Sequence, residues 1–377
     1  MTQPPTWGAP PPQQPDGWPG QPGPGGQWGP QQPWPAPVPP KKGGAAKWAI
    51  GAVSLVAVIA VTAVVAVSCT KNSGDSNGGG GGTTTSAAPS DVASANDTGP
   101  VGIITEDPSC APWTPIQATF AAAGRNGWAQ RDQSLPASAW TPEVRAQYEA
   151  VAKVMRTVAD QAVPLAKMTT HRVMRELYGQ FIVYARAYAD SISKLDTYRP
   201  IDDNLAQAAS TAGNVIGHIC SAVLSGAAAA RASLIPAPKP PKSIAPVGNP
   251  SNPQRMFESP DPVCRDLGPT LDQLLQNPDF KKWLNTDPKI PAGSWSPEQE
   301  SLTTMVAAVM SSTASSLEEL AQQSPNAIVQ DLVLLGVQYR RTYIEALPTY
   351  QPNDSSIYLA GQMAPGIVLA ACDAITG

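Results

Sequence analysis

The sequence predicts an all-α protein: a disulfide-closed four-helix domain carried twice in tandem, after a disordered tail and one transmembrane helix. Three observations predict it. The second half repeats itself in order: Asp107-Pro-Ser-Cys110 returns as Asp261-Pro-Val-Cys264, Trp140-Thr-Pro-Glu143 as Trp295-Ser-Pro-Glu298, and Tyr184-x-Arg186-x-Tyr188 as Tyr339-x-Arg341-x-Tyr343. The offset is 155 residues from Trp140 to Tyr188 and 152 from Thr197 to Cys220, so a three-residue deletion aligns the copies from Trp140 onward. Within each copy apolar residues recur at helical rather than strand spacing. Finally, four of the five cysteines fall at matching places, at the first and last elements of each copy.

Each element follows from local composition. Residues 1–47 begin with 40 residues holding 15 Pro, 7 Gly, 7 Gln and 4 Trp, with no apolar face to bury. They form a disordered, cytoplasmic Pro/Gly/Gln/Trp-rich tail with polyproline II character. Trp7, Trp18, Trp28 and Trp34 within it suit multivalent contacts with a cytoplasmic partner. Residues 48–69 are the transmembrane helix: Trp48–Val67 is 20 residues without a charge, matching the roughly 30 Å bilayer core. Lys41, Lys42 and Lys47 on the N-terminal side place that side in the cytoplasm and the rest outside the plasma membrane. Cys69 is the lipidation candidate, at Ala66-Val-Ser-Cys69. Residues 70–104 read as a flexible Gly/Ser/Thr tether.

The copies are expected at 105–226 and 261–377, joined by a Pro-rich connector at 227–260. In the first, Val144, Tyr148, Val151, Met155, Val158 and Ala162 form a one-sided stripe behind the start signal Thr141-Pro142-Glu143. Ser296-Pro297-Glu298 gives the same signal before Leu302, Met305, Val309 and Leu317. Longer helices are expected at about 170–195 and 326–347. Ala-rich closing helices follow at 202–223 and 354–375, with less regular ones around 116–130 and 270–283. Four exported cysteines allow three pairings, and the repeat selects Cys110–Cys220 and Cys264–Cys372.

Charge and motifs exclude more than they assign. Net charge is −4, and Lys41, Lys42, Lys47 and Lys71 against Asp16 and Asp75 leave −6 on the remainder, which disfavours nucleic acid. Only two histidines occur, His171 and His218, neither in a metal-ligand spacing; no nucleophile elbow or phosphate loop is present. No cofactor, metal or catalytic set is therefore expected. The binding candidates are Tyr184, Arg186, Tyr188, Tyr339, Arg341 and Tyr343, as aromatic platforms with an anion-holding Arg. Trp140 and Trp295 are candidate carbohydrate-stacking rings or, more simply, staples at helix starts. The tyrosines read equally as core, with each Arg pairing to Asp190 or Glu345. Glu176/Asp331 and Asp203/Asp354 lie at or near matching places and read as exposed helix carboxylates.

Residues 1–100 resemble actinobacterial, especially mycobacterial, proline-rich single-pass membrane proteins, on Gln31-Gln-Pro-Trp-Pro-Ala-Pro37, the Lys-flanked Ala/Val span and the Gly/Thr tether. That resemblance implies a cell-envelope location, makes Thr83–Thr85 glycosylation candidates, and implies no activity. The expected function is non-enzymatic binding or scaffolding, with an envelope component or protein held outside by two bivalent modules. The alternative is an envelope enzyme acting on glycan or lipid through His171, His218 or carboxylates of the first copy.

Overall fold

The computed structural model describes residues 91–376 apart from Asn126 and Ala237. The tail, the span, Cys69 and most of the tether lie outside the described residues. Ten α-helices, and no strand, occur among those described. The first copy contains α1 (Cys110–Gly124), α2 (Pro142–Met168), α3 (Arg172–Ser193) and α4 (Asp203–Leu224). After the short α5 (Ala227–Arg231), the second contains α6 (Val263–Gln276), α7 (Pro278–Trp283), α8 (Pro297–Ala321), α9 (Ala327–Ala346) and α10 (Ser355–Thr376).

The repeated start signals are helix caps. Thr141 and Ser296 accept from the backbone N–H of Val144 and Gln299, with Pro at the first helical turn of α2 and α8. The repeated Asp-Pro-x-Cys has a matching job. Asp107 accepts from Ser109 N and from the Thr169 hydroxyl before α3; Asp261 accepts from Val263 N and from the Ser324 hydroxyl before α9. Each Asp thus ties the start of its copy to the entry of a long helix, α3 or α9. Cys110–Cys220 and Cys264–Cys372 close the copies, with Cα separations of 4.8 and 5.5 Å.

One stripe was misplaced by the spacing argument. In α8 Met305 is exposed, and the buried face is Thr303, Val306, Met310, Thr313 and Leu317. Those are the positions 155 residues after Tyr148, Val151, Met155, Val158 and Ala162, so the repeat offset decides what the α8 sequence leaves ambiguous.

The copies are not separate modules on a connector. The most extensive helix packing in the protein joins the two closing helices, α4 and α10. One buried core runs through both copies. α10 is long and apolar enough to cross a membrane, yet two thirds of its most apolar window is buried in this core. Free swinging of two bivalent modules is therefore excluded for the described residues.

Both connecting segments are packed in part. The tether boundary at 104 is too late: Val92, Ser94, Val101 and Ile104 are buried, because apolar residues resume once the Gly run ends. Residues 227–260 begin with helix α5 rather than extended chain, as an Ala-rich run favours. Arg231 at its end then clamps Asp354 and the Thr349 carbonyl.

Candidate functional site

Glu176 in α3 and Asp331 in α9 occupy matching positions, 155 residues apart. Neither is an exposed helix carboxylate; both are buried, at 6% and 1% exposure. They meet at the seam between the copies, as an approximate local twofold would bring equivalent residues together. Arg172, also in α3, lies between them. Its guanidinium gives Asp331 a two-point bond, Nε to Oδ2 at 2.8 Å and Nη2 to Oδ1 at 3.2 Å, and sits 3.9 Å from Glu176 Oε1.

The segment before α1 completes the cluster as a strap. Arg172 donates through Nη1 to the carbonyls of Asp97 and Gly99, and its backbone N–H to Asp97 Oδ2. Arg175 donates to the carbonyl and hydroxyl of Ser94. Burial lowers the Arg175 pKa; for Arg172 burial is more than offset by Asp331 and the neighbouring carboxylates. Neither oxygen of Glu176 has a hydrogen-bond partner. Burial, then the charge of Asp331, pushes its pKa well above the usual carboxylate range. The charge count agrees. Arg172 and Arg175 balance Asp97 and Asp331, and a proton on Glu176 keeps the cluster neutral.

The Tyr-x-Arg-x-Tyr residues divide between seam and core. Tyr184 and Tyr339 are at the seam, each met by a strap segment belonging to the opposite copy. The Tyr339 hydroxyl accepts from Ile104 N, and Arg255 lies 5.9 Å from the Tyr184 ring centre. Residues 251–256 run along α3: Gln180 donates to the Gln254 carbonyl and accepts from Met256 N, while Arg186 donates to the Ser251 carbonyl. Tyr188 and Tyr343 turn inward instead, edge-on to Trp128 and Trp283. All four tyrosines are buried. Arg186 and Arg341 pair with Asp160 and Glu318 rather than Asp190 or Glu345, because they point across to α2 and α8 respectively.

Trp140 stacks on Tyr148 at 3.8 Å and Trp295 on Tyr350 at 5.6 Å, each with its indole N–H on a carbonyl five residues upstream. Trp128 and Trp283, also 155 apart, complete the two aromatic clusters; their matching places were legible but not singled out. In the first cluster Asp203 is buried against Arg131, whose guanidinium lies 3.5 Å over Trp128. His171 Nε2 is 2.9 Å from the Glu106 carbonyl oxygen, and burial holds His218 down to about 4. No group of three or more His, Cys, Asp or Glu arranged to hold a metal occurs among the described residues.

A protein-family model described as "Mycobacterial ESX-1 associated protein" matches residues 92–377. An uncharacterised protein of Mycolicibacterium smegmatis (strain MKD8) is 45% identical over 332 residues, covering 88% of this chain and 86% of that protein. Both matches are mycobacterial, the lineage that the tail and span resemble. No solved structure matches the chain.

Proposed function

Because the chain belongs to the mycobacterial ESX-1 associated protein family, we propose that it is a membrane-anchored, non-enzymatic accessory of that secretion system. Trp48–Val67 is the anchor, the Pro/Trp-rich tail faces the cytoplasm, and the fused double domain stands outside as a rigid binding body. The observation that carries this reading is the seam. The side chains best suited to chemistry, Arg172, Arg175, Glu176, Asp331 and the motif tyrosines, are spent on holding copies and strap together. What remains for function is the outer surface, which suits a protein partner.

In-cell crosslinking with mass spectrometry on the full chain, in hosts with and without the secretion system, tests the proposal. Enrichment of secretion components only in the intact host supports it, and their loss when residues 1–40 are removed assigns recruitment to the tail. No enrichment in either host overturns it. A glycan- or lipid-cleaving activity lost on His171→Ala would replace it with the enzymatic reading.

A further inference from the structure

The buried and half-buried arginines of the seam and clusters form a set with one exception. Arg172 has Asp331, Arg175 has Ser94, Arg131 has Asp203 and Arg231 has Asp354. Arg340 in α9 is 3% exposed, and none of its three guanidinium nitrogens has a hydrogen-bond partner. Burial brings its pKa down to about 10, so it is still a cation at neutral pH. An uncompensated buried charge is among the costliest features a fold can carry.

The fold does not require this charge. At the matching place in the first copy stands Ala185, fully buried. Opposite Ala185 the first copy has Ala206, Ala209 and Ser210; opposite Arg340 the second has Tyr358, Gly361 and Gln362. The changes go together. A Cβ on Gly361 would lie 2.7 Å from Arg340 N, so glycine lets α10 pass close to the arginine. Tyr358 lies within electrostatic range of Arg340. Gln362 Oε1, one turn further along α10, is also buried without a partner. Tyr358 and Gln362 are both partly exposed on this flank of α10.

We propose that Arg340, with Tyr358 and Gln362 at its mouth, is a binding site of the second copy for a small oxyanion, a carboxylate or a phosphate. The guanidinium presents a planar fork of donors that such a group matches at two points. The bound anion supplies the counter-charge that a carboxylate supplies to Arg172, Arg131 and Arg231. A neutral ligand would leave the charge uncompensated, and a cation would be repelled.

The test is thermal unfolding of the full chain in detergent micelles, in sodium chloride and with inorganic phosphate or acetate added at constant ionic strength. Wild type is expected to gain a saturable rise in Tm, on the order of 3 °C, with at least one oxyanion. Arg340→Met, which keeps the volume without the charge, is expected to lose the response and to unfold in chloride no earlier than wild type. Arg340→Lys is expected to respond more weakly, and Arg341→Met, at the neighbouring exposed arginine, to respond like wild type. Absence of any rise in wild type overturns the proposal, as does an equal rise in Arg340→Met. Should Arg340→Met fail to fold, calorimetric titration of phosphate and acetate into wild type and Arg340→Lys decides it, absence of saturable heat in wild type being the refutation.

Discussion

Phe181 in α3 packs on Gly213 in α4, while at the matching places of the second copy Gly336 in α9 packs on Pro365 in α10. A Cβ on Gly213 would come within 3.2 Å of the Phe181 ring, and one on Gly336 within 2.7 Å of Pro365 Cδ. The large and small partners have exchanged helices between the copies, and the filled volume is kept. Polar positions diverge in the opposite way. Both seam arginines come from the first copy, since Arg172 and Arg175 face Ala327 and Gln330 in the repeat. The first copy buries Asp203 against its own Arg131, whereas Asp354 of the second is clamped by Arg231 from the connecting segment. A duplicated fold can trade apolar volume within a copy, but charge balance at a twofold seam has to be shared. Two like carboxyls meeting there need cations and a proton from somewhere, and one copy supplies them.

The largest way to break this comparison is at the disulfides. Cys110→Ser with Cys220→Ser should cost about 4–5 kcal/mol by loop-closure entropy, and Cys264→Ser with Cys372→Ser about the same, since the separations are 110 and 108 residues. Urea midpoints of the two double variants measure it. Next comes the seam: Arg172→Met leaves Asp331 buried without its partner and should cost about 3–5 kcal/mol. Arg186→Met and Arg341→Met, each removing a part-exposed pair, should cost under about 1 kcal/mol.

The first copy also carries two groups shifted by burial, His218 and Glu176, which act in opposite directions. His218 has a folded pKa of about 4, below its unfolded 6.5, so its contribution is complete above 6.5 and lost as pH falls towards 4. The loss amounts to at most about 3 kcal/mol. Glu176 has a folded pKa raised above its unfolded 4.5, so its contribution is complete below 4.5 and lost as pH rises from there towards the raised value. Chemical denaturation across pH should therefore show His218→Gln flattening the acid side and Glu176→Gln flattening the alkaline side. Glycine substitutions separate the exchanged pairs. Gly336→Ala should cost on the order of 2 kcal/mol and Gly213→Ala less, because Pro365 is held in a helix while the Phe181 ring can tilt.

Much of the fold was legible because the chain states it twice. Caps, disulfide pairing, the long helices and the closing helices follow from signals that recur at one offset. The α8 stripe shows the limit: Leu302 and Met305 have helical spacing, yet the buried face is one residue over, and only comparison with α2 reveals it. The candidate site was less legible. Glu176 and Asp331 were visible as a matched pair, but a local pattern gives an ionisable residue in a helix no sign of burial when the burying surface is the other copy. Arg340 was hidden by its neighbour Arg341, which belongs to the repeated motif. The signal that would have found it is the opposite of repetition: an arginine at a place where the other copy has alanine.

The central claim is that seam and strap make the two copies one cooperative body, and differential scanning calorimetry of the full chain in detergent tests it most directly. A single transition with equal calorimetric and van't Hoff enthalpies is expected, moving as a whole when either disulfide is removed. Two transitions, each responding only to the disulfide of its own copy, would contradict it.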